Sequence, residues 1–494
     1  MTIRLNMKTM RDRMRVDAGL SGDAQRLEQM SWMMYLKVYD DMESEWEFEE
    51  DDYRSLIPED CRWRNWGHND RTKNVLTGDD LLDFVNNRLF PTLKGLPVDE
   101  RTPQRQAIVR EVFAAGLNNY MKDGIVMREI LDMIDEVDFT DPTDRHTFND
   151  MYEGLLREMQ ASGAAGEFYT PRAVTDFIVE MVAPTLDDKV ADFACGTGGF
   201  LTSTLKFLSK DNKTTEDNRK YMESVYGIEK KPFPYLLCIT NLLLHGIQAP
   251  NVLYGNTLET SVYDYTEKDR FDVIIMNPPY GGTEKEIVKN NFPTDLRSSE
   301  TADLFVDVIM YRLKEGGRAA VILPDGFLFG SDVKTKIKEK LLREFNLHTV
   351  IRLPSSVFAP YTSITTNILF FDRTGPTRQT WFYRMDMPEG LKHFSKTKPI
   401  RLEHFDVVKE WWNNRADIVD DNDKPKSRCY TIEEIRDGGY NLDLCGFPNE
   451  VKEVLPPDVL IAQFKERRAA LEASMDEILG EIERIMDETD GRSL

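Results

Sequence analysis

The chain has 494 residues, 41% hydrophobic and 10% aromatic, with 29 Gly and 23 Pro spread along it. That excludes collagen, wholesale disorder and a small disulfide scaffold, and leaves room for several units with large cores. Against 63 Lys and Arg stand 86 Asp and Glu, a net charge of -23, so a uniformly acidic surface would repel a phosphate backbone and a nucleic-acid partner would need attraction from elsewhere.

Met1–Arg15 is basic with no apolar stretch behind it, and no window approaches roughly 18 uncharged apolar residues; neither a secretory signal nor a membrane span is expected. Five scattered cysteines, Cys61, Cys195, Cys238, Cys429 and Cys445, form no C-x-x-C pair, which points to a reducing, cytoplasmic setting. Residues 1–150 read as a helical domain: within 24–40, Leu27, Met30, Met34 and Tyr35 recur on a helical period. From Asp40 to Asp52, nine of thirteen positions are acidic, with no His or Cys nearby, and the stretch is expected to be a solvated loop without a function.

Residues 151–400 read as one domain, in which, from Pro171 to about Asp372, short β-branched runs alternate with helical segments, the pattern of a doubly wound parallel sheet. Seven strands are expected, over Lys189–Ala194, Ser224–Ile228, Asn251–Tyr254, Asp272–Met276, Arg318–Leu323, His348–Leu353 and Thr365–Phe371. Helices are expected over Arg172–Ala183, Gly199–Leu208, Pro234–Leu244, Ala302–Lys314 and Ser331–Phe345. Pro354–Ile364 is too short for a helical crossover, so the seventh strand should run antiparallel. Residues 401–455 read as an irregular extension, with Trp411–Arg428 as loop. In 456–490, Ile461, Phe464, Arg468, Leu471, Met475, Ile478, Ile482 and Ile485 alternate steps of three and four, a helix that packs either on its own domain or on a partner's helices.

Two stretches carry chemistry. Val190-Ala191-Asp192-Phe193-Ala194-Cys195-Gly196-Thr197-Gly198-Gly199-Phe200 reads as an apolar strand ending in an acid, a glycine turn and a helix start, where missing Cβ atoms let a ligand approach the backbone. The third glycine of a dinucleotide fingerprint is absent, which argues against NAD; the acid suits a ligand with a positive amino group, such as the methionine part of S-adenosylmethionine. Glu229, closing Tyr226-Gly227-Ile228-Glu229, can accept both hydroxyls of a ribose. Cys195 has no histidine in its surroundings to activate it and is read as a packing residue.

The second stretch is Phe271-Asp272-Val273-Ile274-Ile275-Met276-Asn277-Pro278-Pro279-Tyr280. Asn-Pro by itself signals only a turn, but in a 3-2-1-4-5 sheet the fourth strand lies beside the first, so Asn277 emerges next to the glycine turn. The prolines fix the Asn277 side-chain carbonyl and the Pro278 main-chain carbonyl as acceptors for a planar amino group, and Tyr280 offers a flat face for a base.

These motifs resemble the cofactor and catalytic motifs of amino-methylating DNA methyltransferases, and Gly166-Glu167-Phe168-Tyr169-Thr170-Pro171-Arg172 resembles the opening of the modification subunit of type I restriction-modification systems. Ile57–Trp63 is similar to that family's helical N-terminal domain and Gly317–Pro324 to its fifth strand. Asn-Pro-Pro-Tyr alone is shared with release-factor glutamine and rRNA N-methyltransferases, the alternative reading.

The resemblance implies a Rossmann-like, seven-stranded S-adenosylmethionine-dependent α/β domain with an antiparallel last strand, an α-helical N-terminal domain and a C-terminal docking helix. The implied reaction is N6-methylation of an adenine swung out of DNA. Asn277, Pro278, Pro279 and Tyr280 would be catalytic. Asp192, Ala194, Gly196, Thr197 and Gly198 would line the methionine end, with Phe168, Tyr169 and Thr170 closing over it and Glu229 on the ribose. Asn256 and Thr257 would lie at the cofactor's adenine, Asn256 standing where many adenine methyltransferases carry Asp. Tyr280 and Phe358 would hold the flipped base. No metal is implied. The implied partners are double-stranded DNA, a specificity subunit that reads the site and shares the phosphate contacts, a second modification subunit, and a restriction-translocase subunit; no membrane is involved.

Overall fold

The computed structural model describes residues 7–69, 75–139, 152, 154, 169–359, 361–420 and 423–446, and, near the C-terminus, 461, 464, 465, 468, 472 and 475. The chain divides into two compact units, Met1–Gly446 and Phe447–Leu494. In the second unit the six described residues are helical, and the rest of the expected seam lies outside the described residues, as do Phe168 and the expected boundary at 150.

After a short helix over Met7–Met14, the long helix α1 (Asp23–Glu49) buries Leu27, Met30, Met34 and Tyr35 as the periodicity indicates. It also carries the acidic stretch as far as Glu49, which corrects the reading of Asp40–Asp52 as a solvated loop for all but the exposed Glu50–Asp52. Asp40 accepts from Arg64 Nε at 3.1 Å, Glu47 pairs with Arg62 and Arg64 at 2.9 and 2.6 Å, and Glu43 accepts from the Tyr53 hydroxyl at 2.8 Å. Burial pushes the Asp40 carboxyl up to about 6 despite Arg64 beside it. A local charge count misses this because the opposite charges arrive from 15 to 24 residues away.

One ten-stranded sheet follows. Its strands are β1 (Val190–Asp192), β2 (Val225–Glu229), β3 (Val252–Tyr254), β4 (Phe271–Met276), β5 (Leu313–Pro324), β6 (Asn346–Arg352), β7 (Thr366–Asp372), β8 (Gln379–Arg384), β9 (Ile418–Val419) and β10 (Pro425–Thr431). Their order is β3-β2-β1-β4-β5-β7-β6-β8-β10-β9. The first five are parallel, and β7 lies antiparallel between β5 and β6, as the short 354–364 connection requires. Helices α2 (Arg172–Val182), α3 (Gly199–Leu208), α4 (Thr215–Met222), α5 (Pro232–Leu244), α6 (Thr301–Arg312) and α7 (Val333–Glu344) lie between the strands up to β6, with α3 and α4 both between β1 and β2 and only short turns between β3 and β4, and α8 (Asp406–Asn413) follows β8.

Three strands go beyond the expected seven, and two of them lie within 401–455, expected to be irregular. Trp411–Arg428, read as loop, holds the end of α8, β9 and the start of β10. β10, Pro-Lys-Ser-Arg-Cys-Tyr-Thr, lacks an apolar run; pairing with β8 from Ser427 to Thr431 supplies its order, and side-chain periodicity does not report backbone pairing.

Alternate strand residues face opposite cores. Ala191, Ile274, Met276, Val321 and Leu323 pack with α6 and α7; Val190, Val273, Ile275, Ala320 and Ile322 pack with α2 and α8. A third core runs without a break from α1 into α3 and α5. Among the described residues no helix is long and apolar enough to cross a membrane.

Asp307 on α6 is an anomaly in this packing. It is fully buried, both carboxylate oxygens lack a hydrogen-bond partner, and burial pushes its pKa well up, with Lys340 opposing and Asp303 and Asp295 reinforcing. Above the ordinary carboxylate range the unfolded chain gives up this proton while the folded chain keeps it, so the residue costs stability as pH rises. Asp307→Asn should therefore raise the unfolding midpoint near neutral pH by the equivalent of about 1 kcal/mol, less at acid pH. Equal denaturation midpoints for both proteins across that range would show that the site ionises without cost.

Candidate active site

The tips of β1, β2 and β4 meet around one cleft with about 880 Å³ of empty volume, open solvent at its mouth included, lined by Asp192, Gly196, Glu229 and Asn277 among others. β1 stops at Asp192 because the chain then turns through Gly196 and Gly198, at φ of 55° and 80°. A Cβ at Gly198 would also stand 2.9 Å from Cys238 Sγ on α5, so both backbone and packing demand glycine there. α3 starts at once after this turn.

Two buried carboxylates hold the turn. Asp192 Oδ1 accepts from Ala194 N at 3.0 Å; Glu229 accepts from Gly196 N through Oε2 and from Lys231 N through Oε1, both at 2.8 Å. Burial pushes Asp192 up to about 8, the Ala194 amide opposing and Glu229 adding to the rise; burial raises Glu229 too. Among the described residues no cationic side chain pairs with Asp192. A carboxylate buried in a cleft without its cation fits a ligand that brings one, and Glu229 retains lone pairs for a ribose diol. The residues therefore fit S-adenosylmethionine.

Asn277 follows β4 directly. Its Nδ2 donates to Thr170 Oγ1 at 3.1 Å, and its Oδ1 accepts from the Tyr280 hydroxyl, which also lies 3.3 Å from the Ile322 carbonyl. Both ends of the amide are thus engaged. Pro279 is exposed on the cleft wall and Pro278 is buried behind it.

Ala194, Asn256, Thr257 and Thr170 also line the cleft. Asn256 accepts from Leu258 N at 3.2 Å, and the Thr257 hydroxyl donates to the Phe193 carbonyl at 2.6 Å, tying the loop after β3 to the end of β1. Tyr169, Thr197 and Gly198 stand behind the lining: Tyr169 is buried with the Arg172 guanidinium 5.9 Å from its ring, and the Thr197 carbonyl accepts from Asn241 Nδ2 at 3.1 Å. Phe358 is 4% exposed in the core shared with Val357 and Tyr383, so in this structure its ring does not reach the cleft. Tyr280 is half-buried against the same core with its hydroxyl on Asn277. Cys195 lies 3.7 Å from Cys238, sulfur to sulfur, and burial and then that neighbour push its thiol well up, in keeping with packing.

Sequence reasoning did not find Lys230, Lys231, Glu284, Thr301 or Phe305, which complete the lining. Phe305 sits one helical turn after Thr301, a spacing that puts both on one face of α6.

A family model described as N-6 DNA Methylase matches residues 143–453, and one described as HsdM N-terminal domain matches 7–134. The methylase subunit of the type I restriction enzyme EcoEI from Escherichia coli is 46% identical over 95% of this chain and 96% of its own length. A modification subunit assigned to a type I restriction enzyme of Vibrio vulnificus YJ016 superposes with a TM-score of 0.77 at 39% identity, over 91% of this chain and 96% of that one. A chain from work on complex assembly and conformational transition of the type I R-M system gives 0.78 at 34% identity, covering 97% of each. These relatives give no support to a release-factor or rRNA acceptor. With an Asn-Pro-Pro-Tyr strand tip facing a glycine cradle in one cleft, the chain belongs to the N-6 DNA methylase family, among the methylase subunits of type I restriction enzymes.

Proposed function

We propose that this chain methylates N6 of an adenine rotated out of double-stranded DNA, as the modification subunit of a type I restriction-modification system, at a site read by a separate specificity subunit. The observation that supports this most is the shared cleft: Asp192 and Glu229, suited to a cationic nucleoside, and Asn277, suited to an amino group, line one cavity. When bound, S-adenosylmethionine supplies an electrophilic methyl group. Asp192 would hold its ammonium, with Ala194, Gly196, Thr197 and Gly198 shaping that end; Glu229 would take the ribose, and Asn256 and Thr257 the adenine side.

Asn277 Oδ1 and the Pro278 carbonyl would accept the two N–H donors of the target. The adenine amino lone pair is delocalised into the ring, and two fixed acceptors on its hydrogens favour a more tetrahedral, more nucleophilic nitrogen. Thr170 would steady Asn277 through Nδ2. The Tyr280 ring would stack on the base. For Phe358 to do so, the 354–365 loop would have to release it from the core.

A surface with net charge -23 is poorly suited to grip DNA alone. We therefore assign much of the phosphate contact to the specificity subunit, expect a second copy of this chain and a restriction-translocase subunit in the assembly, and give the C-terminal helix the role of docking on the specificity subunit. We place the enzyme in the cytoplasm, with its DNA.

Methyl transfer from labelled S-adenosylmethionine to unmodified DNA, measured with this chain alone and then with the specificity subunit, tests the reading. N6-methyladenine only with both is expected. Label with this chain alone would mean that it reads DNA itself, and label on neither would remove the assignment.

A further inference from the structure

Between Tyr280 and α6 the chain makes an excursion whose two ends are stitched together. Thr283 and Glu300 form an antiparallel bridge, Glu284 N donates to the Ser299 carbonyl at 3.1 Å, and Thr301 N donates to the Gly282 carbonyl at 3.1 Å. Gly282 makes room for this: a Cβ there would stand 2.5 Å from Thr301 Oγ1. The freed Thr301 hydroxyl instead donates to Glu284 Oε1 at 3.2 Å. The neck thereby places a half-buried carboxylate in the lining of the cleft, together with Asn277 and Pro279. Oε2 has no hydrogen-bond partner and Glu284 no ion pair among the described residues.

Methylation of a neutral amino group by a cationic donor must release one proton. Asn277 and the Pro278 carbonyl can accept hydrogen bonds but cannot take that proton up, because neither titrates in this range. Asp192 and Glu229 are buried and already hold the glycine turn; Lys230 and Lys231 are cations; the Cys195 thiol is buried. We propose that Glu284 is the proton acceptor for the target amino nitrogen, an inference that rests on the amino-methylating reading above. The N–H bond at the methylated nitrogen breaks with its electron pair staying on nitrogen, an O–H bond forms on Oε2 directly or through one water, and the carboxylic acid returns the proton to solvent at the cleft mouth.

The charged groups around Glu284 are Lys285 beside it, Glu300 across the bridge, paired with Lys334 at 2.9 Å, and Asp303, held by the same lysine at 2.8 Å. Asp192, Glu229, Lys230 and Lys231 line the cleft.

The test uses the full assembly with its specificity subunit. Single-turnover methylation is followed across pH at saturating cofactor, so that titration of Asp192 is read in cofactor binding and not in the rate. Calorimetric affinity for the cofactor, and fluorescence of 2-aminopurine at the target position, are read alongside. Glu284→Gln should lower the rate near neutral pH by about 100-fold, leave cofactor affinity and the base-flipping signal within about twofold, and abolish the acid-side fall in rate that the proposal requires of the wild type; Glu284→Asp should retain that fall. A rate within about threefold of wild type overturns the proposal. So does a loss of cofactor affinity that matches the loss in rate, which would make Glu284 a cofactor ligand. Should the Gln variant not fold, a flat pH profile in Glu284→Asp overturns the proposal and a retained acid limb supports it. A wild-type assembly that leaves adenine unlabelled would instead remove the functional reading itself.

Discussion

Replacing Asn277 with alanine is expected to slow methyl transfer by about 100- to 1000-fold while leaving cofactor affinity within about twofold. The side chain is the acceptor that two prolines and the end of β4 hold in place, and in the structure its amide already spans Thr170 and Tyr280. Removing it takes away an interaction that strengthens as the nitrogen pyramidalises, which is the signature of a loss in kcat without a loss of binding. Asp192 and Glu229, the groups assigned to the cofactor, sit on other strands and keep their backbone partners. Single-turnover rates with calorimetric affinities, measured in the assembly, decide it; activity within about tenfold of wild type would move catalysis away from Asn277.

Asp192→Asn is expected to weaken cofactor binding by about 100-fold, because it leaves a cation without its buried counter-charge. The pH dependence gives a sharper signature. Burial, reinforced by Glu229, pushes the Asp192 carboxyl up to about 8 before a ligand arrives, so below that pH the group is protonated. A bound cation favours the ionised form, so binding expels a proton, and affinity should climb by up to about tenfold per pH unit toward 8 and then level off. The raised Glu229 acts in the same direction. Titrations in buffers of different ionisation enthalpy count the proton, and Asp192→Asn should flatten the climb. Equal slopes in both proteins would place the ammonium on another group.

The parts of the site legible in the sequence are those where local pattern and chemistry coincide. An apolar run ending in Asp192 and a glycine turn, and another ending in Asn277, each specify a strand tip, and strand order brings the tips together. Glu284 and Thr301 were not legible, because a bridge across sixteen intervening positions, from Thr283 to Glu300, creates their meeting and neither flank has a strand pattern. The Tyr280 hydroxyl on Asn277 was equally hidden: the motif shows a ring, while the bond depends on a rotamer set by the core beneath it. Phe358 could be named from its motif, but burial depends on how the 354–365 loop folds back. In the fold, β1 to β7 carry apolar runs that announce them, whereas β9 and β10 are short or polar and owe their order to pairing.

Helix α5 has a practical bearing on how this protein can be divided. Tyr235, Leu236, Leu237, Cys238, Ile239, Leu242 and Leu243 leave almost no surface open on any side, because α1 and its neighbours cover the face turned away from the sheet. A fragment beginning after residue 139 would bare that face as a continuous apolar surface, immediately behind the glycine at position 198 that packs on Cys238. Such a fragment would aggregate or lose the shape of its cofactor cradle, even with every residue of that cradle present. Gene-splitting, tagging and complementation schemes for this subunit should accordingly keep the amino-terminal helices and the methylase sheet on one polypeptide.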